Sequence, residues 1–323
     1  MGLFLSLVSV YSQPLSPPKV LLQSAQSFAA AGHIDQASAA FRSAISLAAA
    51  HPDPDELPHA LDLACTHYQD IGQPAQAEPC LRRLRSAYER KLGPGHLGLN
   101  RIVNRLACLY IEMGQGSKAE RLGIPGWLSR LESDAPLSDD RVDLTGTMAA
   151  LEILRGNPAA AVRLNETAWQ ILDGRGMAAS ASGITVLTNL SIAYLETGQP
   201  AASERVLLRA LTLAASAGIA DTLPIAATHA NLANVYATIR RYADAAPHMA
   251  AALTIVERRC GPHSLRTAAL LASYVPILKK LGRKSEARLA QSRARQIEAA
   301  STVVAIQTHT VDVADLARSG RKP

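Results

Sequence analysis

The stretch Asn189-Leu190-Ser191-Ile192-Ala193-Tyr194, followed by Gly198 and Pro200, determines how the rest of the chain is interpreted. Its apolar residues recur at three- and four-residue spacing, as on one face of a helix. Gly198 favours the left-handed conformation found just beyond a helix end, and Pro200 suits the first turn of a following helix. The stretch therefore predicts a helix, a tight turn and a second helix.

The same turn recurs along the chain. The run Asn231-Leu232-Ala233-Asn234-Val235-Tyr236 repeats the first stretch 42 residues later. The turn positions, which we call corners, lie 40 and then five times 42 residues apart: Gly32, Gly72, Gly114, Gly156, Gly198, Arg240 and Gly282. A fixed period of this length predicts a stack of like helical units.

Two further sets of equivalent positions, one residue from each unit and here called columns, follow the same period. Five residues after each corner stand the small residues Ala37, Ala77, Ala119, Ala161, Ser203, Ala245 and Ala287, which predicts a close helix crossing in every unit. Four residues before it, tyrosine occupies four of the seven positions, Tyr68, Tyr110, Tyr194 and Tyr236, and we expect these rings to pack between units.

The composition agrees with closely packed helices. The chain has 323 residues, of which 48% are hydrophobic but only 4% aromatic, and it is rich in alanine. Lys and Arg number 33 against 27 Asp and Glu, so the net charge is +6, without a basic block along the repeats. The fold class expected is all-α, with about seven helical hairpins forming one solenoid.

The asparagine runs and the small column resemble the tetratricopeptide repeat. A typical unit of that family has about 34 residues, so the 42-residue period resembles the longer repeats of kinesin light chains and their bacterial relatives. Glu89-Arg90-Lys91-Leu92-Gly93-Pro94 and Glu257-Arg258-Arg259-Cys260-Gly261-Pro262 are similar to the loops between such repeats. The resemblance implies a right-handed α-α superhelix over residues 19–299.

The sequence departs from this pattern in the third unit. Gly123, Pro125 and Gly126 fall where its second helix should run. Because proline in a helix interior costs about 3 kcal/mol, we expect an irregularity at residues 123–127. Arg240 in place of a corner glycine should be tolerated at a cost of about 1 kcal/mol.

The resemblance also implies a binding groove lined by the first helices. Nine residues before each corner the chain reads Gln23, Leu63, Arg105, Thr147, Asn189, Asn231 and Ser273, and Asn234, Arg101 and Thr185 extend this polar stripe. In related peptide-binding repeats such asparagines hold the backbone of an extended peptide. By resemblance, Asn189, Asn231 and Asn234 would bind peptide amides, and Arg101 and Arg105 an acidic group. Polar residues that are merely solvated are the alternative.

The sequence offers little support for catalysis or for a cofactor. His59 and His67, with Asp62 and Asp70 nearby, form the one cluster that could suggest a metal-dependent hydrolase, and a fortuitous surface cluster is the favoured interpretation. No phosphate-binding glycine motif occurs. Cys65 and Cys80 share one predicted hairpin and could approach each other, although spacing alone does not establish a disulfide.

The two ends bear on localisation. Met1–Ser12 is a short apolar run before Gln13 that resembles a signal peptide, although it lacks the usual positive charge. We expect export to the periplasm or medium if it is one, and a cytoplasmic protein otherwise. No stretch is long enough to span a membrane. Residues 1–18 are thus set apart, and residues 300–323 are expected to form a loosely ordered tail.

Together these features predict a non-enzymatic scaffold that binds a protein or peptide segment. A nucleic-acid-linked regulatory module is the alternative that the positive charge suggests, and scarce aromatic residues disfavour it. A sensor half of a larger multidomain system is not distinguishable from a scaffold. Neither the partner nor the oligomeric state is encoded in a recognisable motif.

Overall fold

The computed structural model describes residues 15–134 and 138–300. The possible signal peptide at Met1–Ser12 and residues 301–323 of the predicted tail lie outside these ranges. The chain forms two compact units, Met1–Ala64 and Cys65–Pro323. Regular structure in the described ranges is helical throughout, with no strand. No helix there is both long and apolar enough to cross a membrane.

The helices follow one another as successive hairpins. In chain order they are α1 (Pro17–Ala30), α2 (Ile34–Ala50), α3 (Glu56–Asp70), α4 (Pro74–Leu92), α5 (Asn100–Glu112), α6 (Gly116–Glu120), α7 (Ile124–Asp134), α8 (Asp139–Leu154), α9 (Pro158–Gly174), α10 (Ala181–Glu196), α11 (Pro200–Ser216), α12 (Leu223–Thr238), α13 (Tyr242–Cys260), α14 (Leu265–Lys280) and α15 (284–300). Each predicted corner joins two of them, so the described ranges contain seven hairpins, and the all-α fold class is confirmed.

The corners have the backbone conformation that their glycines indicate. All seven corner residues have positive φ, from 62° at Arg240 to 79° at Gly156. At the fifth corner the Gln199 N–H donates to the Tyr194 carbonyl at 2.8 Å, and Pro200 begins α11. This six-residue bond is that of a Schellman helix end, which satisfies a carbonyl left free by the last turn. Arg240 adopts the same conformation despite its side chain.

The third hairpin is interrupted where the sequence predicts it. Its second helix is divided into the short α6 and α7, and the break lies at Gly123, whose φ is +70°. Pro125 occupies the first turn of α7, where its missing N–H leaves no bond unmade. The expected irregularity at residues 123–127 is therefore confirmed.

The small column lies at buried helix crossings. Ala37, Ala77, Ala119, Ala161, Ser203 and Ala245 are fully buried, and Ala287 is nearly so. At the one polar member, the Ser203 hydroxyl donates to the Ser191 carbonyl of the partner helix at 2.8 Å. A larger side chain in this column would separate the two helices of a hairpin.

Tyrosine hydroxyls of the other column connect neighbouring hairpins. Tyr194 in α10 donates to the Glu166 carboxylate of α9 at 3.0 Å, and Tyr110 in α5 donates to Glu78 of α4 at 3.2 Å. Each hydroxyl thus reaches a carboxylate of the preceding hairpin rather than solvent or a backbone group. These bonds fix the contact between hairpins, since a partly buried phenol needs a partner.

Candidate functional site

The predicted polar stripe lies on first helices that pack side by side. In the second compact unit, α5 contacts α8, α8 contacts α10, and α10 contacts α12. Arg105, Thr147, Asn189 and Asn231 each occupy the same position in one of these four helices. The 42-residue spacing thus places four predicted site residues on consecutive neighbours, but their surroundings differ.

Asn189 and Asn231 present amide groups without partners in the described part of the chain. Both side chains are half-buried, and Asn234, one turn after Asn231, is exposed. The Asn189 Nδ2 lies against Gly146 of α8, where an added Cβ would stand 3.3 Å from it. Gly146 therefore provides space for the Asn189 amide. These unpaired donors and acceptors could satisfy the backbone of an extended segment.

Thr147 is enclosed rather than displayed. Its side chain is buried, and its hydroxyl donates to the Asn104 Oδ1 of α5 at 2.5 Å. The Cys108 Sγ lies 3.3 Å from the same hydroxyl, whose single proton is already used, so the thiol is the donor in that contact. Burial raises the pKa of Cys108 to about 11, which keeps it a neutral thiol. Thr147 thus connects α5 and α8 and is not available to a ligand.

The two predicted arginines have different surroundings. The Arg105 Nε donates to the Gln69 Oε1 of α3 at 2.7 Å, and its Nη2 donates to the Thr66 Oγ1 at 3.1 Å. Arg101 is exposed and faces the acidic residues Asp140 and Asp143 at the start of α8. An incoming carboxylate could bind Arg101 but would compete with these acids.

Among the acids on this face, Asp143 has the most strongly shifted pKa. Burial raises its pKa to about 6, the negative charges of Asp140 and Asp139 act in the same direction, and the Arg101 charge opposes them. Asp139 is engaged with the Arg175 guanidinium at 2.5 Å. Asp143 stands 42 residues after Arg101 and 42 before Thr185, so the repeat period held a signal for this acidic group that sequence reasoning missed.

Thr185 is exposed on α10, and its hydroxyl donates to the Ala181 carbonyl of the same helix at 2.9 Å. Nearby, a buried pair that sequence reasoning missed joins α10 to α12, since the Thr188 and Thr228 hydroxyls lie 2.8 Å apart. The sequence did carry a signal for this pair, namely two threonines on otherwise apolar helix faces. This pair fixes the spacing of the two helices that carry Asn189 and Asn231.

The histidines do not form a metal centre in the described ranges. His59 is exposed, whereas His67 is buried beside Tyr68, and burial lowers its pKa to about 4. His229 and His248 bring their Nδ1 atoms within 2.9 Å, and burial lowers both pKa values. No group of three His, Cys, Asp or Glu side chains in residues 15–134 and 138–300 could hold a metal ion.

The cysteines separate into one bridge and two free thiols. Cys65 of α3 and Cys80 of α4 form a disulfide with 5.5 Å between their Cα atoms. Cys108 and Cys260 are free, and Cys260 is fully buried. The disulfide links the two helices of the second hairpin.

Comparison with known proteins supports the repeat assignment. The family model of the tetratricopeptide repeat matches residues 225–265, which contain most of α12 and all of α13. No curated protein matches the sequence. Matches among solved structures extend over much more of the chain.

Two solved structures share the fold over most of the chain. BtubC (BKLC) from P. vanneervenii is 21% identical, with a TM-score of 0.52 over 72% of this chain and 91% of its own. A Rap protein complexed with Competence and Sporulation Factor is 15% identical, with a TM-score of 0.56 over 88% of this chain and 77% of its own.

A third structure has kinesin light chain repeats. The putative kinesin light chain with nearly identical TPR-like repeats from Podosopora anserina is 18% identical, with a TM-score of 0.48 over 64% of this chain and 98% of its own. The matched repeat at residues 225–265 is a tetratricopeptide repeat, and the two larger likenesses show that the chain has the fold of these helical-repeat solenoids.

Proposed function

We propose that this chain is a non-enzymatic scaffold that binds an extended protein or peptide segment along its first helices. Repeats with this fold are generally protein-interaction scaffolds, and the described chain consists almost wholly of them. The observation that carries the proposal is the pair Asn189 and Asn231. Their amides occupy equivalent positions on the neighbouring helices α10 and α12 and have no partner in the described part of the chain.

Each predicted residue has a distinct part in this proposal. Asn189, Asn231 and Asn234 would exchange hydrogen bonds with main-chain amides of the ligand, because a side-chain amide offers both donors and an acceptor. Arg101 would take a carboxylate of the ligand. Arg105 and Thr147 hold α3, α5 and α8 in place, and Thr185 would contribute an exposed methyl group and hydroxyl.

The Rap complex supports the proposal through its fold. That protein was solved with Competence and Sporulation Factor bound, so a chain of this fold holds a partner molecule. The ligand expected here is extended rather than folded, because the unpaired amides recur with the spacing of neighbouring helices.

Selection from a random-peptide display library tests the proposal and does not require an identified partner. Peptides selected on the wild-type chain are synthesised, and their Kd is measured by fluorescence anisotropy. The Asn189→Ala/Asn231→Ala double variant is expected to bind them about fivefold to 150-fold more weakly, because each of the two lost hydrogen bonds contributes about 0.5–1.5 kcal/mol.

A matched control separates the groove from general effects. Gln170→Ala with Thr212→Ala removes two exposed polar side chains from the second helices α9 and α11 and should leave the Kd unchanged. Circular dichroism should show the same helix content in both double variants. Selected peptides that bind the asparagine variant as tightly as wild type would place the site elsewhere and refute the groove assignment.

We also propose that the protein works in an oxidising compartment. The disulfide Cys65–Cys80 supports export, because structural disulfides persist outside the reducing cytosol. Mass spectrometry of the protein from its host tests this in two ways. A bridged Cys65–Cys80 peptide together with a chain that begins after Ser12 is the expected result, and a reduced pair on an intact N-terminus would refute it.

A further inference from the structure

A cavity of about 410 Å³ opens at the break in the third hairpin. It lies between α4, α5, α6 and the turn that follows α6, and its polar wall is formed by Arg82, Arg85, Glu89, Tyr110, Lys118 and Arg121. This position is away from the asparagines, and the proposed groove does not use it. Small-molecule sites have cavities of roughly 300–1,000 Å³, so its size suits a small organic ligand.

The interruption of the helix positions one wall of the cavity. α6 ends at Glu120 and α7 starts at Ile124, so Arg121 and Leu122 lie in the turn between them instead of in a continuous helix. In the next hairpin the equivalent residue, Arg163, lies within the unbroken helix α9. The glycine and proline at the break thus place an exposed arginine at the rim of this cavity.

The charges around the cavity are unbalanced. Glu78 lies 2.9 Å from Arg82 and 3.6 Å from Lys118 through the same oxygen, and Glu89 pairs with Arg85 at 2.7 Å. Arg121 has no side-chain partner in the described ranges. The cavity therefore has four cations (Arg82, Arg85, Lys118, Arg121) against two carboxylates (Glu78, Glu89), an excess of two positive charges.

Donors and apolar surface are both available in the cavity. Arg82 uses its Nε on the Tyr110 hydroxyl and its Nη2 on Glu78, which leaves its Nη1 free for a ligand. The whole Arg121 guanidinium and the exposed Ser86 hydroxyl add further donors. Leu106 and Leu122 supply an apolar wall, so a ligand with an uncharged body is accommodated as well as an anion.

We infer that this cavity binds a small phosphate monoester, with its phosphate group between Arg121 and Arg82 and its organic part against Leu106 and Leu122. A phosphate monoester carries nearly two negative charges at neutral pH, which matches the excess of two positive charges. Arginine presents paired N–H donors that fit phosphate oxygens. The site is independent of peptide binding by the first helices.

Calorimetric titration of the full chain with phenyl phosphate and, separately, with inorganic phosphate tests this inference. Phenyl phosphate is expected to bind with one-to-one stoichiometry and more tightly than inorganic phosphate, since only the ester reaches the apolar wall. Arg121→Gln and Arg82→Gln are each expected to weaken its binding about tenfold or more, because each removes charge-assisted hydrogen bonds of about 1.5–3 kcal/mol.

Arg163→Gln is the matched control, since this arginine is also exposed, has no side-chain partner in the described ranges and occupies the equivalent place in the next hairpin. It should leave the affinity unchanged. Unaltered binding by Arg121→Gln, equal losses in Arg121→Gln and Arg163→Gln, or no saturable binding of either phosphate would overturn the site. Equal affinity for the two phosphates would overturn the assignment to an ester and leave a site for the free ion.

Discussion

The Arg266 Nη2 at the start of α14 lies 3.7 Å from the Glu112 Oε1 at the end of α5, four hairpins earlier in the chain. The Arg266 side chain also crosses the second corner, where a Cβ on Gly72 would stand 3.0 Å from its Cγ. Within the second compact unit, the last hairpin therefore meets the ends of two early first helices.

The pKa of Asp70, which lies beside this contact, depends on the charge of Arg266. Burial raises the pKa of Asp70 at the end of α3, while the charges of Arg266, Arg105 and Arg259 lower it. Three cations thus converge on the region where Asp70 and Glu112 end their helices. This contact is held by attraction between opposite charges rather than by apolar packing. We therefore expect the contact to be reversible and to weaken as the salt concentration rises.

We predict that Arg266→Glu opens this contact without unfolding the protein. The substitution places a negative charge beside Glu112 and Asp70, and exposed ion pairs contribute only about 0–1 kcal/mol to stability. Hydrogen exchange at the amides of Gly72 and Gly114 should accelerate, while the thermal midpoint changes little. Arg258→Glu, which breaks the exposed pair with Asp221, is the control and should leave both amides as in wild type.

Gly146→Ala should raise the stability of the fold and at the same time weaken peptide binding. Alanine in a helix interior is more stable than glycine by about 0.5–1 kcal/mol, but the new Cβ would crowd the Asn189 amide at 3.3 Å. We expect a higher urea midpoint together with several-fold weaker binding of library-selected peptides. Gly174→Ala at the end of α9 has open space around it and should not weaken binding. Unchanged affinity in Gly146→Ala would show that Asn189 does not contact the ligand.

Loss of the Cys65–Cys80 disulfide should destabilise the second hairpin. The two residues are 15 positions apart, and a loop of about this length stabilises a fold by about 3 kcal/mol in the chain-entropy description. Reductant should lower the denaturation midpoint of the wild type and of Cys108→Ala, but not of the Cys65→Ala/Cys80→Ala variant. If reductant does not change the denaturation midpoint of the wild type, Cys65 and Cys80 are not bridged in solution.

The repeat period predicts what depends on local backbone chemistry. The glycine corners require positive φ, and the structure has it at each of them, including the exception Arg240. Gly123 and Pro125 predict the interruption of the third hairpin because neither suits a helix interior. These outcomes follow from a few residues each, so one sequence suffices to predict them.

The repeat period does not predict side-chain contacts that depend on neighbours differing from one repeat to the next. Thr147 and Asn189 share one column, yet Thr147 is buried against Asn104 whereas Asn189 faces the space left by Gly146. The contact between Arg266 and Glu112 depends on rotations accumulated over four hairpins, which no local pattern encodes. For that reason the sequence predicts the helix face of the site better than its individual members.

His67 should make the protein less stable in acid. It is 6% exposed, and burial lowers its pKa from 6.5 to about 4. Because the folded pKa lies below the unfolded one, the unfolded chain binds the proton first as pH falls below about 6.5. The contribution of neutral His67 is complete above that pH and declines by about 3 kcal/mol by pH 4.

His67→Leu should remove that decline. The equivalent residues of the next two hairpins are Leu109 and Leu151, both buried, so leucine suits this position. Urea unfolding of both proteins between pH 7 and 4 isolates the effect, because the shifted acids Asp70 and Asp143 are present in each. The stability difference should grow in favour of His67→Leu as pH falls. Parallel curves would mean that His67 keeps an ordinary pKa and reaches solvent in the folded protein.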